Sequence, residues 1–104
     1  MHNLDLLAKK FETASDKYCA AYNIKRDDDW VLMKLQEEVG ELFQAWLMHT
    51  NRARDKGQSP DELKDMVASE TADILGMILI FASTQGVDLN KYIEKKWRFK
   101  VEAD

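Results

Sequence analysis

The 104-residue chain has only one cysteine, one proline and four glycines. Cys19 cannot close an internal disulfide, which sets aside disulfide-stapled secreted scaffolds and fits a reduced, cytoplasmic setting. So few turn formers leave too little punctuation for an all-β fold with its many short strands. Long apolar runs are also missing: the longest, Ile74 to Ala82, falls well short of the roughly 20 residues that a bilayer crossing takes. No secretory leader is legible, because Asp5 and the polar start Met1-His2-Asn3 break up the N-terminal leucines. Nor is there a basic surplus. With 15 Lys and Arg against 19 Asp and Glu, a net charge of −4, a nucleic-acid duplex is not the expected partner. An acidic chain can still hold a polyphosphate when a divalent cation lies between the two sets of negative charge.

What is present is 45% hydrophobic and 33% charged residues, on a length that makes residues 1–104 a single domain. The expected fold is all-α, with four helices. Leu4, Leu7, Phe11, Ala14 and Tyr18 recur at helical spacing and predict a first helix from about Asn3 to Tyr22. After the interruption Asn23 to Asp29, with Asp28 or Asp29 as N-cap, a second helix carries the stripe Leu32, Leu35, Val39, Leu42 and Trp46. The polar stretch Thr50 to Ser59 reads as a loop. Ser59-Pro60-Asp61-Glu62 is a strong start signal, with Ser as N-cap, Pro at the first position and Glu closing a capping box. A third helix then runs to about Thr84 and stops at Gly86. Its second half is apolar on every face, so it has to be covered on every face; three other helices in one chain leave a side for a second copy, which predicts a helical-bundle homo-oligomer, dimer or tetramer. The last helix spans Asp88 to about Val101, with Leu89, Tyr92, Ile93, Trp97 and Val101 on its apolar edge.

Four carboxylates resist a purely structural explanation. Glu38 and Glu41 lie three apart on the second helix, as do Glu70 and Asp73 on the third, and both pairs abut apolar stripes. Facing each other, the pairs repel unless a proton or a cation neutralises them. The plainer alternative is that all four solvate exposed faces. Mid-helix Gly40 and Gly76 favour close packing at both pairs. Four inward carboxylates make an all-oxygen site suited to Mg²⁺ or Mn²⁺. A ferritin-like di-iron centre is disfavoured, since neither pair has the Glu-x-x-His spacing and His2 and His49 lie elsewhere.

The run Lys34-Leu35-Gln36-Glu37-Glu38-Val39-Gly40-Glu41-Leu42, followed by Glu70-Thr71-Ala72-Asp73, resembles the Glu-Glu-x-x-Glu … Glu-x-x-Asp signature of the MazG-type all-α nucleotide pyrophosphohydrolases. The tail Asp88-Leu89 … Lys95-Lys96-Trp97 is similar to that family's final helix, and the likeness covers roughly residues 30–100. It implies Mg²⁺-dependent cleavage of a nucleoside triphosphate to the monophosphate and pyrophosphate. By motif position Glu38, Glu41, Glu70 and Asp73 become metal ligands, Glu37 holds or deprotonates the attacking water, and Lys96 contacts phosphate. Lys100 stands where many members carry Asn. Lys34, one turn before Glu38, is either a salt-bridge partner of Glu38 or a phosphate contact. Trp46 and Trp30 are aromatic planes for a nucleobase, with core packing as the alternative for Trp46 and the expected role for Trp97. Cys19 and Met33, Met48, Met66 and Met77 read as packing. Phosphoribosyl-ATP pyrophosphohydrolase and a non-catalytic helical oligomerisation module are the competing functions.

Overall fold

The computed structural model describes residues 3–102, which form four helices and no strand. Helix α1 spans Asn3–Ala21, α2 Asp28–His49, α3 Pro60–Thr84 and α4 Leu89–Trp97. His2 lies outside the described residues.

The buried line of α1 runs through Ala8 and Cys19, with Leu4, Phe11 and Ser15 half-buried, one step round from the predicted stripe. Leu7, Ala14 and Tyr18 are more exposed. The shift has a packing cause: Ala8, Ser15 and Cys19 are small and let α1 approach α3, where the Phe11 ring lies 2.7 Å from the place a Cβ would occupy on Gly76. Any larger residue at Gly76 displaces α1 or the ring. Gly40 has nothing within 4 Å of its corresponding position, so the expectation of close packing at both glycines holds only for Gly76. Arg26 fastens the link after α1, pairing with Asp16 at 3.1 Å and Glu12 at 3.7 Å, while Ser83 Oγ on α3 donates to Glu12 at 2.9 Å.

The N-cap of α2 is Asp27, not Asp28 or Asp29: its carboxylate accepts from Trp30 N at 2.8 Å. The next two aspartates occupy the first turn, where the helix dipole favours negative charge. The buried positions of α2 are Val31, Glu38, Ala45 and Met48. Leu32 and Trp46 of the predicted stripe are instead exposed, and so is Met33, expected to pack. After His49 the chain curls back, with Arg52 N and Ala53 N both donating to Leu47 O. Ten residues, 50–59, partly spent in that curl, cannot run the roughly 33 Å length of a 22-residue helix, so α2 and α3 form an antiparallel hairpin.

The start of α3 is the expected capping box, Ser59 accepting from Glu62 N at 3.2 Å and Glu62 from Ser59 N at 3.0 Å. The helix ends where Gly86 takes φ +65°, a value that side chains disfavour. Helix α4 is shorter than its periodicity suggests. Asp88 caps its start, but Arg98 adopts a left-handed conformation and its N–H bonds to Glu94 O, which closes the helix at Trp97. No residue of α4 is fully buried, and Trp97, expected in the core, is 74% exposed.

Helix α3 lies centrally, packed against α2 on one side and α1 on the other, with α4 only loosely attached. The molecule measures 45 × 38 × 19 Å, so its thin dimension is less than two helix diameters of about 10–12 Å each. By length and composition α3 as a whole is apolar enough to cross a bilayer, a property it shares with central helices of soluble bundles.

Candidate metal centre and adjoining groove

The α2/α3 seam carries the carboxylates. Glu38 sits on the same line of α2 as Val31 and Ala45, seven residues to either side, and is the one buried charged side chain among the described residues, 8% exposed. Glu70 and Asp73 face it from α3. One oxygen each from Glu38, Glu70 and Asp73 lie within 4.8 Å of one another, and the same holds for Glu37, Glu38 and Glu41. Glu38 belongs to both groups and joins the two motifs. Oxygen-to-metal bonds of about 2.0–2.6 Å allow one hard cation to bridge oxygens at such separations.

Nothing in the protein neutralises this cluster fully. Four buried side-chain polar atoms lack a hydrogen-bond partner among the described residues, and two of them, Glu38 Oε2 and Glu70 Oε2, are in the seam. A buried acceptor without a partner is costly, more so when charged. The Glu38 carboxylate beside it, partial burial, and the charges of Glu38 and Glu41 push the pKa of Glu70 up to about 8. Glu70 therefore carries a proton at neutral pH in the metal-free protein, standing in for a missing positive charge.

Lys34 is the neighbouring cation. Its Nζ lies 3.0 Å from Glu37 Oε1 and 3.8 Å from Glu38 Oε1. Its pKa is raised, first by the hydrogen bond to Glu37, although partial desolvation opposes the shift. Both expected roles survive this placement, because the shorter contact goes to the exposed Glu37 and leaves Glu38 Oε2 unpartnered.

The cluster opens into a groove of about 370 Å³ between α1 and the hairpin, within the roughly 300–1,000 Å³ of small-molecule sites. Its walls combine Glu38, Asp73 and Lys34 with Phe11, Tyr18, Trp30 and Met77. A larger cavity, about 640 Å³, lies at the far end of α3 between Asp5, Asn90, Lys91 and Lys100 and contains none of the cluster. The 370 Å³ groove is the candidate site because it joins an apolar wall to Glu38, whose buried Oε2 has no partner.

Of the residues singled out in the sequence, Glu38, Glu70 and Asp73 converge, Glu41 and Glu37 flank them on exposed ground, and Lys34 lies at the groove. Trp46 does not line it: the ring is 48% exposed and its nearest aromatic neighbour is His49 at 6.1 Å. Lys96 and Lys100 do not line it either, and Lys100 borders the larger cavity. The groove adds Phe11, Tyr18 and Met77, which periodicity reads only as packing. Their signal in the sequence was weak, since a wall shared by three helices becomes visible only once α1 is docked. No family model, characterised protein or solved structure matches the chain.

Proposed function

We propose that the chain is a cytoplasmic, Mg²⁺-dependent nucleoside triphosphate pyrophosphohydrolase of the MazG-like kind, working as a homo-oligomer. The observation that carries this reading is the pair of buried, unpartnered oxygens of Glu38 and Glu70, facing each other beside a groove with an aromatic wall. Two buried carboxylate oxygens without partners, one on each helix of the seam, are what a bound cation would neutralise. The donor set, all carboxylate, fits Mg²⁺ or Mn²⁺ and lacks the imidazole or thiolate expected of softer metals.

On this reading Glu38, Glu41, Glu70 and Asp73 hold the metal, which when bound offsets phosphate charge, acidifies water and stabilises the departing pyrophosphate. Glu37 accepts a proton from the water as its oxygen attacks phosphorus. The phosphoanhydride bond breaks and its electron pair leaves with pyrophosphate. Lys34, already at the groove, can exchange Glu37 for a substrate phosphate. Trp30 and Tyr18, which line the groove where Trp46 does not, offer flat apolar surface to a nucleobase.

Pyrophosphate release across standard and modified nucleotides, with Mg²⁺ titrated from zero, tests the reading. Metal-dependent release and a metal-dependent rise in thermal stability are expected. If neither appears with any triphosphate, the enzyme reading fails and the non-catalytic module remains.

A further inference from the structure

We propose that α4 and the segment after it bind single-stranded nucleic acid, with exposed rings stacking on bases and the cations between them meeting phosphates. The inference goes beyond the reading above and does not rest on it. The overall charge of −4 hides an uneven distribution: Leu89 to Lys100 holds five Lys and Arg against Glu94 alone, while the other 92 residues hold ten basic and eighteen acidic side chains. Positive charge is thus concentrated at α4, and so are exposed rings. Lys96-Trp97-Arg98-Phe99-Lys100 alternates cation and ring, with Trp97 74% exposed, Phe99 56% and, one turn earlier, Tyr92 48%. At about 100° per residue, Lys91, Lys95 and Tyr92 lie on the flank of α4 turned from Leu89 and Ile93, which are half-buried. Lys91 Nζ and Lys95 Nζ stand 5.7 and 5.9 Å from the centre of the Tyr92 ring, so charge and aromatic face are presented together. None of the three rings lines the groove beside the carboxylates.

The chemistry favours a single strand over other anionic partners. Every base offers a flat face on which an aromatic side chain stacks whatever the sequence, and every nucleotide adds a phosphate for a cation. A duplex keeps its base faces stacked on one another, which leaves the rings nothing to meet. An anionic bilayer is less suitable too. The aliphatic side chains of α4, Leu89 and Ile93, are half-buried against the chain, and a plane of lipid would also approach the acidic remainder of the protein, which it repels. A strand can follow the strip of Tyr92, Trp97 and Phe99 and leave that remainder in solvent. The cavity of about 640 Å³ beside Lys91 is a second, independent indication. Asn90 lines it, and Asn90 Oδ1 is buried with no hydrogen-bond partner among the described residues. The carboxylates of Asp5 and Glu94 border the same space and keep phosphate out, whereas an unstacked base entering it brings N–H donors for amide and carboxylate oxygens alike.

Fluorescence anisotropy of labelled oligothymidylate and oligouridylate of about 15 nucleotides, titrated with the full chain in Mg²⁺-free buffer at several salt concentrations, tests the proposal. Both should bind, with similar dissociation constants of about 10⁻⁴–10⁻⁶ M, since stacking and phosphate contacts do not read the sugar. Trp97→Ala should weaken binding at least about 5-fold, and Trp97→Phe should keep most of it. Replacing Lys95 and Lys96 together by alanine should lower the slope of log affinity against log salt by about 1.4, the share of two phosphate contacts on a single strand. Lys64→Ala, near the start of α3, should change neither quantity. If circular dichroism shows that Trp97→Ala has lost helix, Phe99→Ala and the lysine pair read the same surface. No anisotropy change with either oligonucleotide up to about 10⁻⁴ M, the weak end of non-specific binding, overturns the proposal. So does binding that is indifferent to the ring and lysine variants alike. A duplex bound as tightly as the single strand overturns it as well, because charge alone then suffices. The same holds if the protein ignores both oligonucleotides but pellets with phosphatidylcholine–phosphatidylglycerol vesicles.

Discussion

The two sides of α2 are populated the wrong way round for a helix of a lone soluble chain. Toward α3 it buries Glu38, whose Oε2 has no partner; toward solvent it presents Leu32, Phe43 and Trp46. A buried carboxylate oxygen without a partner is costly, and a contiguous exposed apolar patch is uncommon on a monomer. Each inversion fits the proposed function, in which a cation would complete the protein on one side and a second chain on the other. The contrast also separates two kinds of incompleteness. The seam lacks charge neutralisation and should respond to metal and pH, whereas the outer face lacks cover and should respond to protein concentration.

The largest effect should come from cutting into the seam. Asp73→Asn or Glu38→Gln is expected to lower nucleotide turnover by at least about 100-fold while keeping the helical spectrum. Without metal these variants should melt no lower than the native chain, since a repelled carboxylate has gone. If both fail to fold, the acids are structural and the contrast between the two sides collapses.

The glycines provide a sharper comparison of opposite sign. Gly76→Ala forces its methyl against the Phe11 ring and should cost about 1–3 kcal/mol, read by urea denaturation. Gly40→Ala meets nothing within the chain and should be stabilising by about 0.5–1 kcal/mol, the usual gain of Ala over Gly in a helix. A loss at Gly40 comparable to that at Gly76 would place a close neighbour there in the assembled protein.

A smaller effect is expected with pH. The pKa of Glu70 rises on folding from 4.5 to about 8, so the folded state binds the extra proton between those values. Stability of the metal-free chain should therefore fall as pH rises from about 5 to 8 and level off above, because deprotonation restores the repulsion. Glu70→Gln should flatten that slope, and saturating Mg²⁺ should reverse it, since metal competes with the proton. Melting temperatures at several pH values, with and without Mg²⁺, check this; a slope unchanged in Glu70→Gln would locate the titration elsewhere. The smallest effect is at the α3 start, where Ser59→Ala should cost about 1 kcal/mol with no change in metal response.

Much of this was legible from local chemistry. Ser59-Pro60-Asp61-Glu62 announced its capping box, Gly86 its stop, and the two i, i+3 acid pairs met across the seam because the carboxylates of both lie on the lines facing the other helix. What periodicity could not resolve was which edge of a broad apolar stripe is the inside. On α2 the residues from Leu32 to Trp46 are apolar over a wide sector, and α3 covers only the margin next to Glu38. A stripe that packs along one margin only looks, in one sequence, like a stripe that serves one core. Trp97 misled for a related reason: its spacing with Tyr92 and Ile93 is amphipathic, yet α4 has little in its own chain to pack against. The Asp27 cap was missed because three consecutive aspartates offer equivalent side chains, and only the extended backbone at Asp27 distinguishes it.

The contact between Phe11 and Gly76 bears on how the groove comes into being. Helices α2 and α3 are joined by ten residues and can pair early, whereas Phe11 must close a loop of more than sixty residues to reach Gly76, an event with a larger entropic cost. The groove should therefore form late in folding and be lost first when α1 lifts off. Amide hydrogens of α1 should exchange faster than those at the α2/α3 seam, and a molecule lodged between Tyr18 and Trp30 should slow them, linking occupancy to the attachment of a single helix.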